Sequence, residues 1–124
     1  PGHSSAASDV YKRQIGSLCE DDFESTISGL GDNAGLVLFI ASEYSTSKDQ
    51  LKEFERFVAA SDYTNIQYFK VEVNKCSRLM MSQQLSRVPA INIYQDKRML
   101  SSVSMINNVL ITDDQIEDLI AEAR

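Results

Sequence analysis

The chain has 124 residues, 43% hydrophobic and 24% charged, with 5 Gly and 2 Pro, which fits one domain with a single core and excludes a low-complexity or fibrous chain. A formal charge of −6 without a basic patch argues against nucleic acid or an anionic membrane surface as partner, since both are polyanions. The longest apolar run, AGLVLFIA at 34–41, falls far short of the roughly 20 residues that cross a bilayer, so a soluble chain without direct membrane insertion is expected, in an organelle or the cytoplasm alike.

The first 14 residues, PGHSSAASDVYKRQ, are polar and lack both an apolar signal-peptide centre and an initiator Met. They read as an extended polar N-terminal tail ahead of a domain over 15–124, and a partner surface is the kind of thing that holds such a tail in place. His3, the single histidine, lies in this tail, and Cys19 and Cys76 are the two cysteines. Zinc sites need clustered ligands, so neither a metal nor another cofactor is expected.

Regular patterning begins at Leu18. In CEDDFESTISGLG, Phe23, Ile27 and Leu30 recur at helical spacing, acidic residues crowd the first turn, and Gly31 marks the end, which predicts a first helix. GLVLFIAS is continuously apolar and too short for a buried helix, so it predicts a strand covered on both faces. KDQLKEFERFVAAS puts Leu51, Phe54, Phe57 and Val58 on one stripe, an amphipathic helix lying on a sheet. NIQYFKVEVN predicts another strand and CSRLMMSQQLSR a short helix, while AINIYQD and KRMLSSVSM form a hairpin turning at Asp96 and Lys97. The last helix has the fullest set of local signals: Thr112 and Gln115 match a capping box, Ile111 and Ile116 can staple it, and Ile116, Leu119 and Ile120 supply its buried stripe.

This order describes an α/β domain, a mixed sheet with helices on both faces and right-handed crossovers between parallel strands. Together with RVPAINIY it resembles the thioredoxin family across residues 15–124. The resemblance implies a thioredoxin fold, a central mixed sheet of about five strands flanked by four helices. It also implies that Val88 and Pro89 are the family's cis-proline pair facing the active site. The family's Trp-Cys-Gly-Pro-Cys-Lys run then falls on Glu43 to Lys48, with Glu43 on the Trp, Tyr44 on the nucleophilic Cys, Ser47 on the resolving Cys and Lys48 on the Lys. The buried proton-shuttling Asp falls on Leu38, and the companion Lys of the third strand on Lys70. SMINNVLITDD is longer than the family pattern and lacks its usual Gly.

Disulfide exchange needs an attacking thiolate and a resolving thiol, and the degenerate motif Tyr44, Ser45, Thr46, Ser47 has neither. The expectation is a redox-inactive member that is not an enzyme, a structural or protein-interaction subunit of a multi-subunit assembly. Non-catalytic relatives in the family serve as accessory subunits and as substrate-binding domains. A serine nucleophile is excluded because no His lies in the folded part to act as base. SKDQ instead fits a capping box in which Ser47 accepts from the Gln50 backbone, leaving Ser45 and Thr46 as turn residues.

Tyr44 has two open readings, filling the groove beside Val88 and Pro89 or anchoring a partner there. Pro89 is either architectural or the edge of a peptide groove, which admits a chaperone-like peptide binder as one alternative. By the family's topology Cys19 follows the first strand and Cys76 the third, which are parallel neighbours. A disulfide would need Cα atoms within about 7 Å, and two separate, reduced, partly buried cysteines are expected. The other alternative is a thiol-dependent redox sensor or enzyme using Cys76, at a helix start, or Cys19. Met80 and Met81 are assigned to the core.

Overall fold

The computed structural model of the protein describes residues 14–124, so the expected polar tail and His3 lie outside the described residues. The elements follow in the order β1 (Ile15–Ser17), α1 (Glu20–Ser28), β2 (Ala34–Ile40), α2 (Ser45–Ala60), β3 (Ile66–Glu72), α3 (Arg78–Ser82), β4 (Ala90–Gln95), β5 (Arg98–Ser104) and α4 (Asp113–Ile120). The five strands form one mixed sheet in the order β1-β3-β2-β4-β5. β1 and β2 both run parallel to β3, while β4 is antiparallel to both β2 and β5. This is the expected thioredoxin architecture.

The continuous apolar run of β2 makes it the centre. Every one of its residues is buried, and the two-residue side-chain period divides them between two cores. Leu36, Leu38 and Ile40 pack with Phe54, Phe57 and Val58 of α2 and with Ile116, Leu119 and Ile120 of α4. Val37 and Phe39 pack on the opposite face with Phe23 and Ile27 of α1, Leu79 of α3 and Tyr94. Phe23 stands edge-on to Tyr94 with ring centroids 5.6 Å apart, an orientation that aromatic quadrupoles favour. Gly35 makes room for the Leu30 side chain that follows α1, because a Cβ there would lie 2.9 Å from Leu30 Cδ1.

The turns obey local chemistry. Asp96 and Lys97 have φ of 56° and 68°, the paired left-handed conformation that matches a two-residue hairpin to strand twist. The long segment before α4 makes a second small turn, with Asn107 and Asn108 at φ of 53° and 59° and Ile106 bridged to Val109. α4 is capped as expected: Thr112 Oγ1 accepts from the Gln115 amide at 3.2 Å, and Gln115 Oε1 accepts from the Thr112 amide at 2.9 Å. Among the described residues no helix is long and apolar enough to cross a membrane.

Candidate functional site

Because β1, β2 and β3 run parallel and β4 runs against them, the C-terminal ends of the first three and the start of β4 open on one edge of the sheet. Ligand sites in open α/β sheets collect at that edge. It receives the segment 43–48 after β2, the segment 73–77 after β3, Cys19 after β1, and Val88 and Pro89 before β4.

The degenerate motif becomes helix rather than turn. Tyr44 is the N-cap residue of α2, and Ser45, Thr46 and Ser47 form its first turn. Ser47 is fully buried and its Oγ accepts from the Ala41 amide at 3.0 Å, just where the β2 ladder has run out. Gln50 is also fully buried, and it reaches across the domain: its Nε2 donates to the Ile111 carbonyl at 3.1 Å and its Oε1 accepts from the Ile111 amide at 2.8 Å. The Ser47–Gln50 capping box is therefore not formed. A buried amide needs both its donor and its acceptor satisfied, and a tertiary partner does this better than the local one.

Tyr44 is 59% exposed. The Val88–Pro89 peptide is cis, Pro89 is buried, and its carbonyl accepts from the Met105 amide at 3.0 Å, which draws the Ile106–Val109 turn up to the same edge. Leu38 is buried in the core, in register between Lys70 and Ile91. Met80 packs against the core but Met81 is 86% exposed, contrary to its assignment. α3 is only five residues long, so its second Met falls on the outer face.

The cysteines depart furthest from expectation. Cys19 and Cys76 are joined in a disulfide, with Cα atoms 5.3 Å apart across 57 positions of sequence. The pairing of β1 with β3 accounts for the approach. It places Ser17 opposite Lys70 and continues one residue further through the Leu18 amide to the Lys70 carbonyl, 2.9 Å. The two chains thus leave the sheet side by side. Cys19 becomes the N-cap of α1, and the Cys76 amide turns back to the Glu72 carbonyl at 3.1 Å.

The two cysteines differ in exposure, since Cys76 is 3% exposed while Cys19 is half-buried. A cavity of about 300 Å³ opens beside the bond, lined by both cysteines together with Ser17, Asp22, Lys70, Glu72 and Lys75. Asp22 Oδ1 accepts from the Cys19 amide at 2.8 Å and Glu72 Oε2 from the Ser42 amide at 3.2 Å. The second contact, with Asn74 Nδ2 donating to Glu43 Oε1 at 2.6 Å, ties the loop after β2 to the loop carrying Cys76. Asp22, Glu72 and Lys75 carry no motif in the sequence. They are brought together only by strand pairing.

The sequence matches no family model, and it matches no curated protein. Solved structures do match. Thioredoxin f2, from a complex with ferredoxin:thioredoxin reductase, superposes with a TM-score of 0.74 at 16% identity, over 88% of this chain and 94% of that one. Thioredoxin f from spinach chloroplast, short form, gives 0.74 at 15% identity, over 88% and 93%. A mutant thioredoxin from Halobacterium salinarum gives 0.72 at 15% identity, over 91% and 94%.

These likenesses establish a thioredoxin fold and leave the chemistry to this chain's own residues. The formed Cys19–Cys76 disulfide corrects the expectation of a redox-inactive chain that is no enzyme. That expectation rested on Tyr44, Ser47 and Leu38 replacing the exchange cysteines and the Asp, whereas the neighbours are thioredoxins and this chain holds a formed disulfide elsewhere on the same edge. Loss of cysteines at one position does not exclude a cysteine pair where the topology assembles another.

Proposed function

We propose that the chain is a thiol–disulfide redox protein, an exchange enzyme or sensor, working through Cys19 and Cys76 and not through the degenerate motif at 44–47. The observation that carries this reading is a disulfide between a half-buried and a buried cysteine, beside a cavity bordered by two lysines. In the oxidised protein an incoming thiolate attacks Sγ of Cys19, the less buried cysteine, and the S–S bond breaks with Cys76 leaving as thiolate and taking up a proton. In the reverse direction the Cys19 thiolate attacks a disulfide and Cys76 resolves the mixed species. The ammonium groups of Lys70 and Lys75 favour thiolate character at the pair, and the N-terminus of α1 adds to it. Glu20, Asp21 and Asp22 in that first helical turn oppose the effect.

The test is direct. After equilibration with dithiothreitol, alkylation and mass measurement should find the two thiols appearing together, and the reduced protein should transfer electrons to a small aromatic disulfide. Cys19→Ser and Cys76→Ser should each abolish turnover, while Ser45→Ala leaves it unchanged. A folded, reduced protein that passes no electrons to any disulfide overturns the reading.

A second role on the same edge is favoured by Tyr44 and Pro89. Tyr44, Ile106 and Val109 are 59%, 59% and 65% exposed, and the Val88 backbone makes no hydrogen bond to another described residue. An extended segment of a partner protein could pair there, which agrees with a place in a larger assembly. Val88→Pro together with Tyr44→Ala should then weaken partner binding at least about tenfold, equivalent to about 1.4 kcal/mol. Unchanged binding counts against it.

A further inference from the structure

The cavity beside the disulfide has a composition that the exchange reaction by itself does not require. Its charged lining is two cations, Lys70 and Lys75, and two anions, Asp22 and Glu72. Among the described residues neither lysine ammonium makes an ion pair or a hydrogen bond, although Lys70 is half-buried. Asp22 and Glu72 each have one carboxylate oxygen held by a backbone amide, which fixes the group and leaves the other oxygen without a partner among the described residues. Lys70 and Glu72 are half-buried while Asp22 and Lys75 are exposed, and a half-buried charge is costly unless something pairs it. A cavity of about 300 Å³ is at the small end of the range for ligand sites and matches a small molecule in size.

From this we infer that the co-substrate of the Cys19–Cys76 pair is a small zwitterionic thiol of about two to three residues. Its carboxylates would meet Lys70 and Lys75, its ammonium Asp22 or Glu72, and its sulfur Cys19. The inference rests on the redox reading above and names its substrate class. The first thiol, as thiolate, forms a bond from its sulfur to Cys19 Sγ while the Cys19–Cys76 bond breaks, and Cys76 leaves as thiolate and accepts a proton. The Leu18 carbonyl, 3.9 Å from Cys76 Sγ, is placed to accept the resulting S–H. A second molecule of thiol then attacks the bound sulfur and displaces the Cys19 thiolate, which is protonated in turn. Two thiols lose two electrons and two protons and become one disulfide, and the protein disulfide becomes a dithiol.

The experiment measures second-order rate constants for reduction of the oxidised protein by glutathione, neutral 2-mercaptoethanol, cationic cysteamine and anionic 3-mercaptopropionate, each expressed per thiolate. Dithiothreitol serves as a charge-free reference. Glutathione should exceed each monothiol by at least about tenfold. Lys75→Met, on an exposed side chain, should reduce the ratio of glutathione to 2-mercaptoethanol several-fold, and Lys70→Met more so. Cys76→Ser treated with oxidised glutathione should retain one glutathionyl group on Cys19, located by peptide mass mapping. If dithiothreitol reduces the folded protein but the four thiols react alike per thiolate, or the adduct forms on no cysteine, the zwitterionic substrate is wrong and the redox reading survives. If the reduced, folded protein passes electrons to no disulfide, the redox reading itself is wrong.

Discussion

Gln50 and Tyr94 show how much a single buried polar group can decide. Gln50 satisfies both backbone groups of Ile111 and so fastens α2 to the segment that leads into α4. Gln50→Leu keeps most of the volume but leaves a buried N–H and C=O unpaired, at roughly 1–3 kcal/mol each. A loss of about 3 kcal/mol is expected, read from urea unfolding. The Tyr94 hydroxyl accepts from Asn92 Nδ2 at 3.0 Å and donates to Gln83 Oε1 at 2.7 Å. Burial pushes its phenol up from the ordinary 10.0 to about 12, with the Asn92 contact acting weakly in the other direction. The folded state therefore holds this proton more tightly than the unfolded chain. The resulting stability is complete below about pH 10 and is lost as the pH climbs towards 12. Absorbance titration should find the Tyr94 phenol, identified as the signal lost in Tyr94→Phe, ionising at about 12, with the urea midpoint falling over the same interval.

Among the elements, β1 depends most on connections beyond itself. It has three residues, and among the described residues its only sheet partner is β3, so the Cys19–Cys76 bond is a second attachment for β1 and α1 together. Closing a loop across 57 positions removes unfolded-chain entropy worth about 4 kcal/mol. Reduction, or Cys19→Ser, should lower unfolding free energy by about that amount. Amide exchange should accelerate first in β1 and at the start of α1, with β2 and β4 following only at global unfolding. The start of α4 is fixed by local chemistry in addition to its core packing. Thr112→Ala removes the acceptor for the Gln115 amide and should cost about 1 kcal/mol, independently of the redox state.

At the scale of the whole molecule, two cores on opposite faces of β2 support a fold that does not depend on its disulfide. A domain of this size carries about 5–15 kcal/mol of stability, so loss of about 4 kcal/mol on reduction should leave it folded. Circular dichroism of the reduced protein should match the oxidised form in the far ultraviolet. A collapse on reduction would mean that the bond is structural and that cycling it is not compatible with function. The topology also explains why a thiol pair can lie on the expected edge without occupying the expected motif. Parallel β1, β3 and β2 all end there, and Glu72 and Asn74 couple the two loops.

What could be read from the linear chain was whatever short-range chemistry dictates. The apolar run of β2, the stripe of α2, the Asp96–Lys97 turn and the Thr112–Gln115 box each depend on residues a few positions apart, and each formed where the pattern placed it. The local reading failed at Ser47 and Gln50 because their partners, Ala41 and Ile111, lie 6 and 61 positions away, and a buried amide follows its best partner wherever the chain brings it. It failed at Met81 because a short helix leaves one flank to water. Most of all it failed at Cys19 and Cys76, where motif alignment tested one site and found no sulfur. Whether two cysteines so distant in sequence meet is decided by strand order and register alone. Pairing β1 beside β3 fixed both the bond and the charged cavity next to it, and no spacing within the sequence encodes that adjacency.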